Sequence, residues 1–373
     1  MSKLKIATVF SGIGAIEYAL RRMNVDYEVL FACDNGEREI DYDATSELEL
    51  IKNLNSVKEK REYVDDLYST NTRRTNFVEK TYRANYQNEL IDDNYFQDIR
   101  LLDGTDFKNK VDLFVGGSPC QSFSTVGFQG GLEDARGTLF YDYARLVKEI
   151  QPKVFIYENV RGMLNHDKGK TWEVIKNIFD GLGYNLSFEV LNARDFGIPQ
   201  NRRRLFVVGT KKDSTFDISK IPQKELLFSS QDFLIEKNKF GEMKYDKDGQ
   251  IVFGQNDGEI EEKYFLSPKL LAYVTKGGTK TFYQKPVTDN RVARTLLKSM
   301  GNRHRAGVDN YYTVDGKLRM LSEREALRLM GFCDEFIFPC SRCQGYKQAG
   351  NSIVVDVLMS ILEGIFKSRL MED

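Results

Sequence analysis

The chain has 373 residues, with 54 Lys plus Arg against 55 Asp plus Glu, two histidines and 41% hydrophobic residues. That is the composition of a soluble globular protein, long enough for one large domain with a smaller second one. A net charge of -1 gives no global electrostatic reason to expect a nucleic-acid partner, and five cysteines are too few for a disulfide framework, so reduced thiols in a cytoplasmic protein are expected.

The first third alternates β-branched runs with helical periodicity. Lys5 to Phe10 reads as a buried strand, Gly12 and Gly14 as a turn, Ile16 to Arg22 as the start of a helix, and Glu28 to Cys33 as a second strand. The stretch from Asn35 to Glu89 is charged and helix-like. Its acid-rich part, Asp34 to Asp66, is net -6, and a solvated helical face is the expectation for it. Tyr95 to Ile99, Val111 to Val115, Lys153 to Tyr157, Leu186 to Leu191 and Arg204 to Val208 follow as strands. Strands separated by helical patterns predict an α/β fold with a doubly wound, mostly parallel sheet.

From Lys211 to about Gly316 the periodicity weakens, and Gly, Asp, Lys and Ser become frequent, so a second domain is placed there. Beyond it, Ser322 to Met330 reads as a helix, and Asn351 or Ser352 is the expected N-cap of an apolar helix reaching about Phe366. A helix so apolar must pack on the first domain's sheet, so the chain leaves that domain and returns. No stretch reaches 18 to 20 uncharged apolar residues, and no membrane partner is expected.

Four short constellations carry chemistry. Phe10-Ser-Gly12-Ile-Gly14 lies between a strand and a helix, with Asp34 at the end of the next strand, the geometry of a nucleotide cofactor site. Glu17 stands where a dinucleotide fingerprint has its third Gly. A carboxylate there would repel a pyrophosphate, which disfavours NAD, although a tight βα turn without a ligand also produces GxG. Gly116-Gly117-Ser-Pro119-Cys120 follows a strand directly, which puts a thiol in the ligand crevice of an open sheet. Glu158 ends another strand. Gln200-Asn-Arg202-Arg203-Arg204 opens one, and alternation puts Arg202 and Arg204 on one face, where they could bind an anion or a base carbonyl. Cys340 and Cys343 have metal or redox spacing, but no second such pair exists, so no metal is expected. Arg291, Arg294, Lys298, Arg303 and Arg305, with no acid among them, are the best DNA-contact candidates.

In this order these residues resemble the DNA cytosine-5 methyltransferases of bacterial restriction-modification systems. The matching stretches are FSGIGA from Phe10, Asp98-Ile99, GGSPCQSFS from Gly116, GLEDARGTLFYDYARL from Gly131, ENV from Glu158, GIPQNRRRLFVVG from Gly197, RMLSEREALRLMGF from Arg319 and QAGNSIV from Gln348. The resemblance implies a Rossmann-like methyltransferase sheet, residues 1-212 plus 341-373, and a smaller, irregular, β-rich target recognition domain with its hinge, residues 213-340. It makes Cys120 the nucleophile toward carbon 6 of a flipped-out cytosine, gives Glu158 the ring nitrogen, and sets Arg204, supported by Arg202, on the base carbonyl. S-adenosylmethionine is the implied cofactor, against Phe10, Gly12, Ile13, Gly14, Asp34, Asn35, Asp98, Ile99, Gly117, Pro119, Leu139, Asn351 and Ile353. Asn35 departs from the aromatic residue that members often carry there. Phe123 to Glu133 would close as a lid. The implied partner is double-stranded DNA, bound by a monomer whose methylation protects against a restriction endonuclease. The alternatives are a tRNA-directed cytosine-5 methyltransferase and a non-catalytic DNA-binding protein of the same fold.

Overall fold

A computed structural model describes residues 3–119, 139–235, 240–255, 258–276, 278–279, 282–283, 285–300 and 307–371. The β-branched runs become the strands β1 (Leu4–Val9), β2 (Tyr27–Cys33), β3 (Tyr95–Phe96), β4 (Leu113–Gly116), β5 (Val154–Val160), β6 (Tyr184–Asn192) and, after a two-residue strand β7 (Gln200–Asn201), β8 (Arg203–Lys211). Seven of them form one sheet in the order β3-β2-β1-β4-β5-β8-β6. Only β8 runs against both of its neighbours; the other adjacent pairs are parallel. The order reverses between β1 and β4, so the crevice at the carboxyl ends of those two strands is where such a sheet takes its ligand.

Helices cover both faces, which is why the strands read as nearly continuous apolar runs. Along β1, Ile6 joins the buried cluster of α1 (Ala15–Arg22) and α10 (Val355–Lys367). Its neighbour Ala7 joins that of α5 (Leu139–Ile150) and α6 (Lys170–Gly181). β3 is shorter than the expected Tyr95 to Ile99 because Asp98 accepts the Arg100 N–H and caps a short turn over Ile99–Leu101. β5 is longer than expected, so Glu158 sits within the strand rather than after it.

The charged segment after β2 folds as α2 (Ala44–Lys52), α3 (Val57–Asn71) and α4 (Phe77–Tyr86). It is not simply a solvated face: Val64, Tyr68, Tyr82 and Tyr86 are all buried. Within α3 the row Lys60, Val64, Tyr68 recurs every four residues and lines one side, while Glu59, Glu62 and Asp66 face water.

Among the described residues from 213 to 320 the strands form short pairs: β9 (Phe240–Tyr245) with β10 (Ile251–Gln255), β11 (Gly278–Thr279) with β12 (Phe282–Tyr283) and, beyond β13 (Ala293–Arg294), β14 (Tyr311–Val314) with β15 (Lys317–Met320). α7 (Pro268–Val274) lies among them. β13 pairs in parallel with β7, and α8 (Glu323–Arg328), capped by Ser322, carries Ala326 and Leu327 into the main core. The β9–β10 turn reaches the back of the sheet domain. There the buried Arg22 guanidinium donates to Gly249 O (2.6 Å), Gly331 O (3.0 Å) and both oxygens of Asp356 (2.9 and 3.1 Å).

α10 packs on α1 in one buried cluster, but the expected N-cap is not there. α9 (Arg342–Asn351) runs up to Asn351, Ser352 is extended, and α10 starts after Val354, which has no capping oxygen. The break has a cause: Arg202 draws the main-chain carbonyls of Gly350 (2.9 Å) and Ser352 (2.8 Å) toward itself and away from helical pairing. The apolar stretch Arg342–Lys367 is long enough by composition to cross a membrane, yet 67% of its most apolar window is buried in this core.

Candidate active site

At the end of β1 the chain turns through three left-handed residues, Phe10 (φ 51), Gly12 (φ 54) and Gly14 (φ 80). A bulky residue in that region is strained, and such strain is held where the surroundings require it. The buttress is α4. The Tyr86 hydroxyl donates to Gly14 O (2.8 Å), and a Cβ on Gly14 would lie 2.1 Å from the Tyr86 ring, so only glycine fits. Asp34, at the end of β2, accepts the N–H groups of Gly12 (3.0 Å) and Gly36 (2.8 Å). Burial raises its pKa, with those two N–H groups working the other way.

Two adjoining cavities open from this turn. One, of about 320 Å³, is lined by Phe10, Asp34, Asn35, Ile40, Asp41, Asp98, Ile99, Pro119 and Leu139. The other, of about 240 Å³, shares Phe10, Asp34, Asn35 and Pro119 and adds Gly12, Ile13, Gly117, Glu158, Arg202, Arg204 and Asn351. Ile353 lines a smaller recess beside Phe10 and Gly12. Gly14 lines none of these and serves through the turn itself. In the first cavity, apolar walls from Phe10, Ile40, Ile99 and Leu139 alternate with the carboxylates of Asp34, Asp41 and Asp98. With Glu39 also in the lining and Arg100 its one described cation, this mostly acceptor set fits a flat base with ribose hydroxyls and a cationic centre better than a polyanion.

Asp98 is the most heavily bonded of these acids. One oxygen accepts Arg100 N (3.0 Å) and Nε (3.1 Å); the other accepts the hydroxyls of Tyr42 (2.5 Å) and Tyr68 (2.6 Å) and Arg100 Nη2 (2.8 Å). Burial opposes its charge, but Arg100 and the two hydroxyls outweigh it and hold the carboxyl below its ordinary value.

Across the second cavity, Glu158 and Arg204 stand on adjacent antiparallel strands, with Oε1 and Nε 3.2 Å apart. Burial raises the Glu158 pKa, and the guanidinium groups of Arg204 and Arg202 only partly offset it. Gly117 fits closely here: a Cβ would lie 2.7 Å from Glu158 O and 2.9 Å from Glu158 Oε2. The turn Gly117-Ser118-Pro119 is pinned to β5, because Asn159 Nδ2 donates to Ser118 O (2.8 Å) and the Ser118 hydroxyl meets that of Tyr157 (2.7 Å). Sequence reasoning named Glu158 but not Asn159 or Tyr157, although Asn159 stands in the ENV stretch. Cys120, next after Pro119, lies outside the described residues, as do Arg303, Arg305 and the proposed lid Phe123 to Glu133.

Arg202 differs from its expected placement. It sits at the break between β7 and β8, so strand alternation does not pair it with Arg204. Its nitrogens donate to Leu296 O (3.1 Å), Gly350 O and Ser352 O, and burial followed by the like charge of Arg204 lowers its pKa to about 9. It lines the cavity while tying three chain segments together. Glu17 also differs: it points inward, fully buried, and accepts the Tyr82 hydroxyl (2.7 Å) and that of Thr8 (3.3 Å). A repulsive contact between Glu17 and a ligand phosphate is therefore not the reason for disfavouring NAD; the acids around the first cavity supply a better one. Desolvation raises Glu17 to about 7, against its hydrogen bonds to Tyr82 and Thr8.

Of the basic candidates, Arg291 is exposed, whereas Arg294 donates to Val287 O and Asp309 O, both at 3.0 Å. Lys298 pairs with Glu37 (3.2 Å) at the cavity mouth, where Glu37 also meets Lys347 (2.8 Å) and Asn351 (3.1 Å). Cys340 is half-buried beside Thr81 and Cys343 is exposed; among the described residues no cluster of metal ligands forms.

The family model of the C-5 cytosine-specific DNA methylases matches residues 4–367. Among curated relatives, the type II methyltransferase M.SsoII of Shigella sonnei is 34% identical over 304 residues, which cover 78% of this chain and 72% of that protein. M.HhaI of Haemophilus parahaemolyticus is 37% identical over 260 residues, covering 69% and 76%. Among solved structures, the S. pombe Dnmt2 methyltransferase aligns with a TM-score of 0.66 at 18% identity, over 100% of this chain and 99% of that one. The Entamoeba histolytica methyltransferase EhMeth aligns at 0.64 and 17%, over 98% and 99%. At such identities the structures speak for the fold alone.

Proposed function

Since the chain belongs to the C-5 cytosine-specific DNA methylase family and is a DNA cytosine-5 methyltransferase, we propose that it moves a methyl group from S-adenosylmethionine to carbon 5 of a flipped-out cytosine in duplex DNA through a covalent Cys120 adduct. The observation that carries this reading is the single cavity wall on which Glu158 and Arg204 pair beside Gly117 and Pro119, the residues leading directly into Cys120, next to a second cavity lined by carboxylates and apolar side chains.

Carbon 5 of cytosine is too weakly nucleophilic to take a methyl group unaided. The Cys120 thiolate adds to carbon 6, forming the sulfur–carbon bond while the double-bond electrons move toward N3 and carbon 5. Glu158, its pKa raised by burial, holds a proton where N3 gains charge. Arg204 binds the base carbonyl and keeps Glu158 in place. Arg202 supports both from below by fixing the 350–352 and 296 main chain. The cofactor, when bound, supplies an electrophilic methyl on a sulfonium centre. Phe10, Gly12, Ile13, Asp34, Asn35, Asp98, Ile99, Gly117, Pro119, Leu139, Asn351 and Ile353 would hold it, with Gly14 shaping the turn. After transfer, loss of the carbon 5 proton restores the double bond and expels the Cys120 thiolate. Unstacking the target base costs a few kcal/mol, offset by DNA contacts. Those contacts are assigned to Arg291, Arg294, Lys298, Arg303 and Arg305 within a reader spanning residues 213-340, on a catalytic body of 1-212 and 341-373.

In this reading a cytoplasmic monomer modifies host DNA and shields it from a companion restriction endonuclease. Cys120→Ser should lower tritium-methyl transfer to duplex DNA by at least a thousandfold while S-adenosylhomocysteine binding stays within threefold, by the logic of a missing covalent nucleophile. Full methylation by that variant would overturn the mechanism. Parallel assays on tRNA test the RNA-directed alternative, and bisulfite sequencing of DNA from expressing cells reports both activity and site.

A further inference from the structure

The helical segment between β2 and β3 carries no motif, yet it supplies two of the donors on Asp98. Tyr42 precedes α2 and Tyr68 lies in α3, 56 and 30 residues before Asp98, so neither contact follows from local chain geometry. Both rings are held. The Arg100 guanidinium lies 4.8 Å over the Tyr42 ring, and that of Arg38 lies 4.9 Å over Tyr68. Tyr68 is packed with Ile51, Val64 and Leu101 in a small core of its own, with Ile40 and Tyr42 at its edge. Ile40 and Asp41 continue from this core into the wall of the cavity of about 320 Å³ that Asp98 also lines.

We propose that Tyr42 and Tyr68 are cofactor-positioning residues, whose hydroxyls, with Arg100, fix the orientation of the Asp98 carboxylate in the cavity that takes the cofactor. The inference rests on the function proposed above and extends it to residues outside its motifs. A carboxylate has about four acceptor sites, and here five donors converge on two oxygens, which leaves the group no rotational freedom. A site fixed before binding spends less of its interaction energy on ordering the groups that make it. Without the hydroxyls, one oxygen keeps only Arg100 Nη2, and the carboxylate is held by Arg100 alone. The charged segment thereby acts as the cofactor-side wall of the site.

The test is the binding of S-adenosylhomocysteine to the full chain by isothermal titration calorimetry, for Tyr42→Phe, Tyr68→Phe and the double variant. These changes remove one oxygen each and keep the rings and their stacking. Each single variant should weaken binding about threefold and the double about tenfold or more, in line with the loss of hydrogen bonds to a charged group. KM for the cofactor should rise by the same factor while kcat at saturating cofactor falls less than about twofold, a split that a general loss of structure does not produce. A double variant that binds within twofold of the parent while keeping its melting temperature would overturn the proposal, as would a fall in kcat with KM unchanged. Should the double variant not fold, Tyr42→Phe, at a half-buried position, decides by its own threefold criterion. Wild-type protein that neither binds S-adenosylhomocysteine nor transfers methyl overturns the parent function and this inference with it; normal wild-type binding with unaltered variants overturns this inference alone.

Discussion

Two stretches of this chain lack recognisable motifs, and the structure uses them in opposite ways. The helices α3 and α4 turn buried tyrosines toward Asp98, toward Glu17 and toward the turn that ends β1, so they form part of the wall of the candidate site. The stretch from residue 213 to 316 makes short, separate strand pairs, and its β9–β10 turn is fastened to the far side of the sheet domain through Arg22. Charge content does not distinguish a solvated segment from a wall; the spacing of the apolar residues between the charges does.

The largest expected effect tests the fastening. Arg22→Ala leaves the buried Asp356 carboxylate with only the more distant Lys224 ammonium (4.0 Å) and frees Gly249 O and Gly331 O, so unfolding free energy should fall by about 3–5 kcal/mol in urea titrations. A loss under about 1 kcal/mol would mean that the β9–β10 turn is not anchored there. Next comes the buttress. Gly14→Ala forces a side chain into a left-handed position against the Tyr86 ring, and should cost about 2–3 kcal/mol and weaken S-adenosylhomocysteine binding about tenfold. Unchanged binding would detach α4 from the site.

The last effect is a change of slope with pH. Glu17 titrates near 7 in the folded protein, against an ordinary 4.5. The folded state therefore keeps its proton over a range where the unfolded state has lost it. The stability this proton supplies is fully present below pH 4.5 and is lost as pH rises to about 7. Glu17→Gln removes that loss, so the stability difference between wild type and variant should move in the variant's favour by up to about 3 kcal/mol between about pH 5 and about pH 8. Parallel stability curves would show that Glu17 is ionised beside Tyr82 throughout.

The sheet was legible because its inner strands are buried on both faces, although the edge strand β6 is not. The ends of β1, β2, β4 and β5 carry Phe10, Asp34, Gly117 and Glu158, and a strand end is a place that sequence spacing can locate. The surroundings of Asp98 were not legible, because Tyr42 and Tyr68 reach it across tertiary space. The four-residue spacing of Val64 and Tyr68, and of Tyr82 and Tyr86, is the one signal that could have exposed the buried side of those helices. Arg202 misled for a related reason. Alternation holds within a strand, and the chain bends at that residue to meet carbonyls of Leu296, Gly350 and Ser352. In the basic run, side-chain donors of Arg294 and Lys298 are engaged by neighbours that charge counting does not see.

The clamp on Arg22 also constrains the order of assembly. Asp356 lies 334 residues further along the chain, and a guanidinium withdrawn from water without its counter-ion is costly. The face of α1 that carries Arg22 therefore has to stay hydrated until α10 arrives, however early β1 and β2 have paired. Burial of that face of α1 waits on α10, and closing so long a loop adds to the entropy that this packing must overcome. During synthesis, the turn bearing Phe10 and Gly12 is made among the first residues and is backed by its final neighbours only after residue 356 has left the ribosome, which makes those last helices the timing element for a competent site.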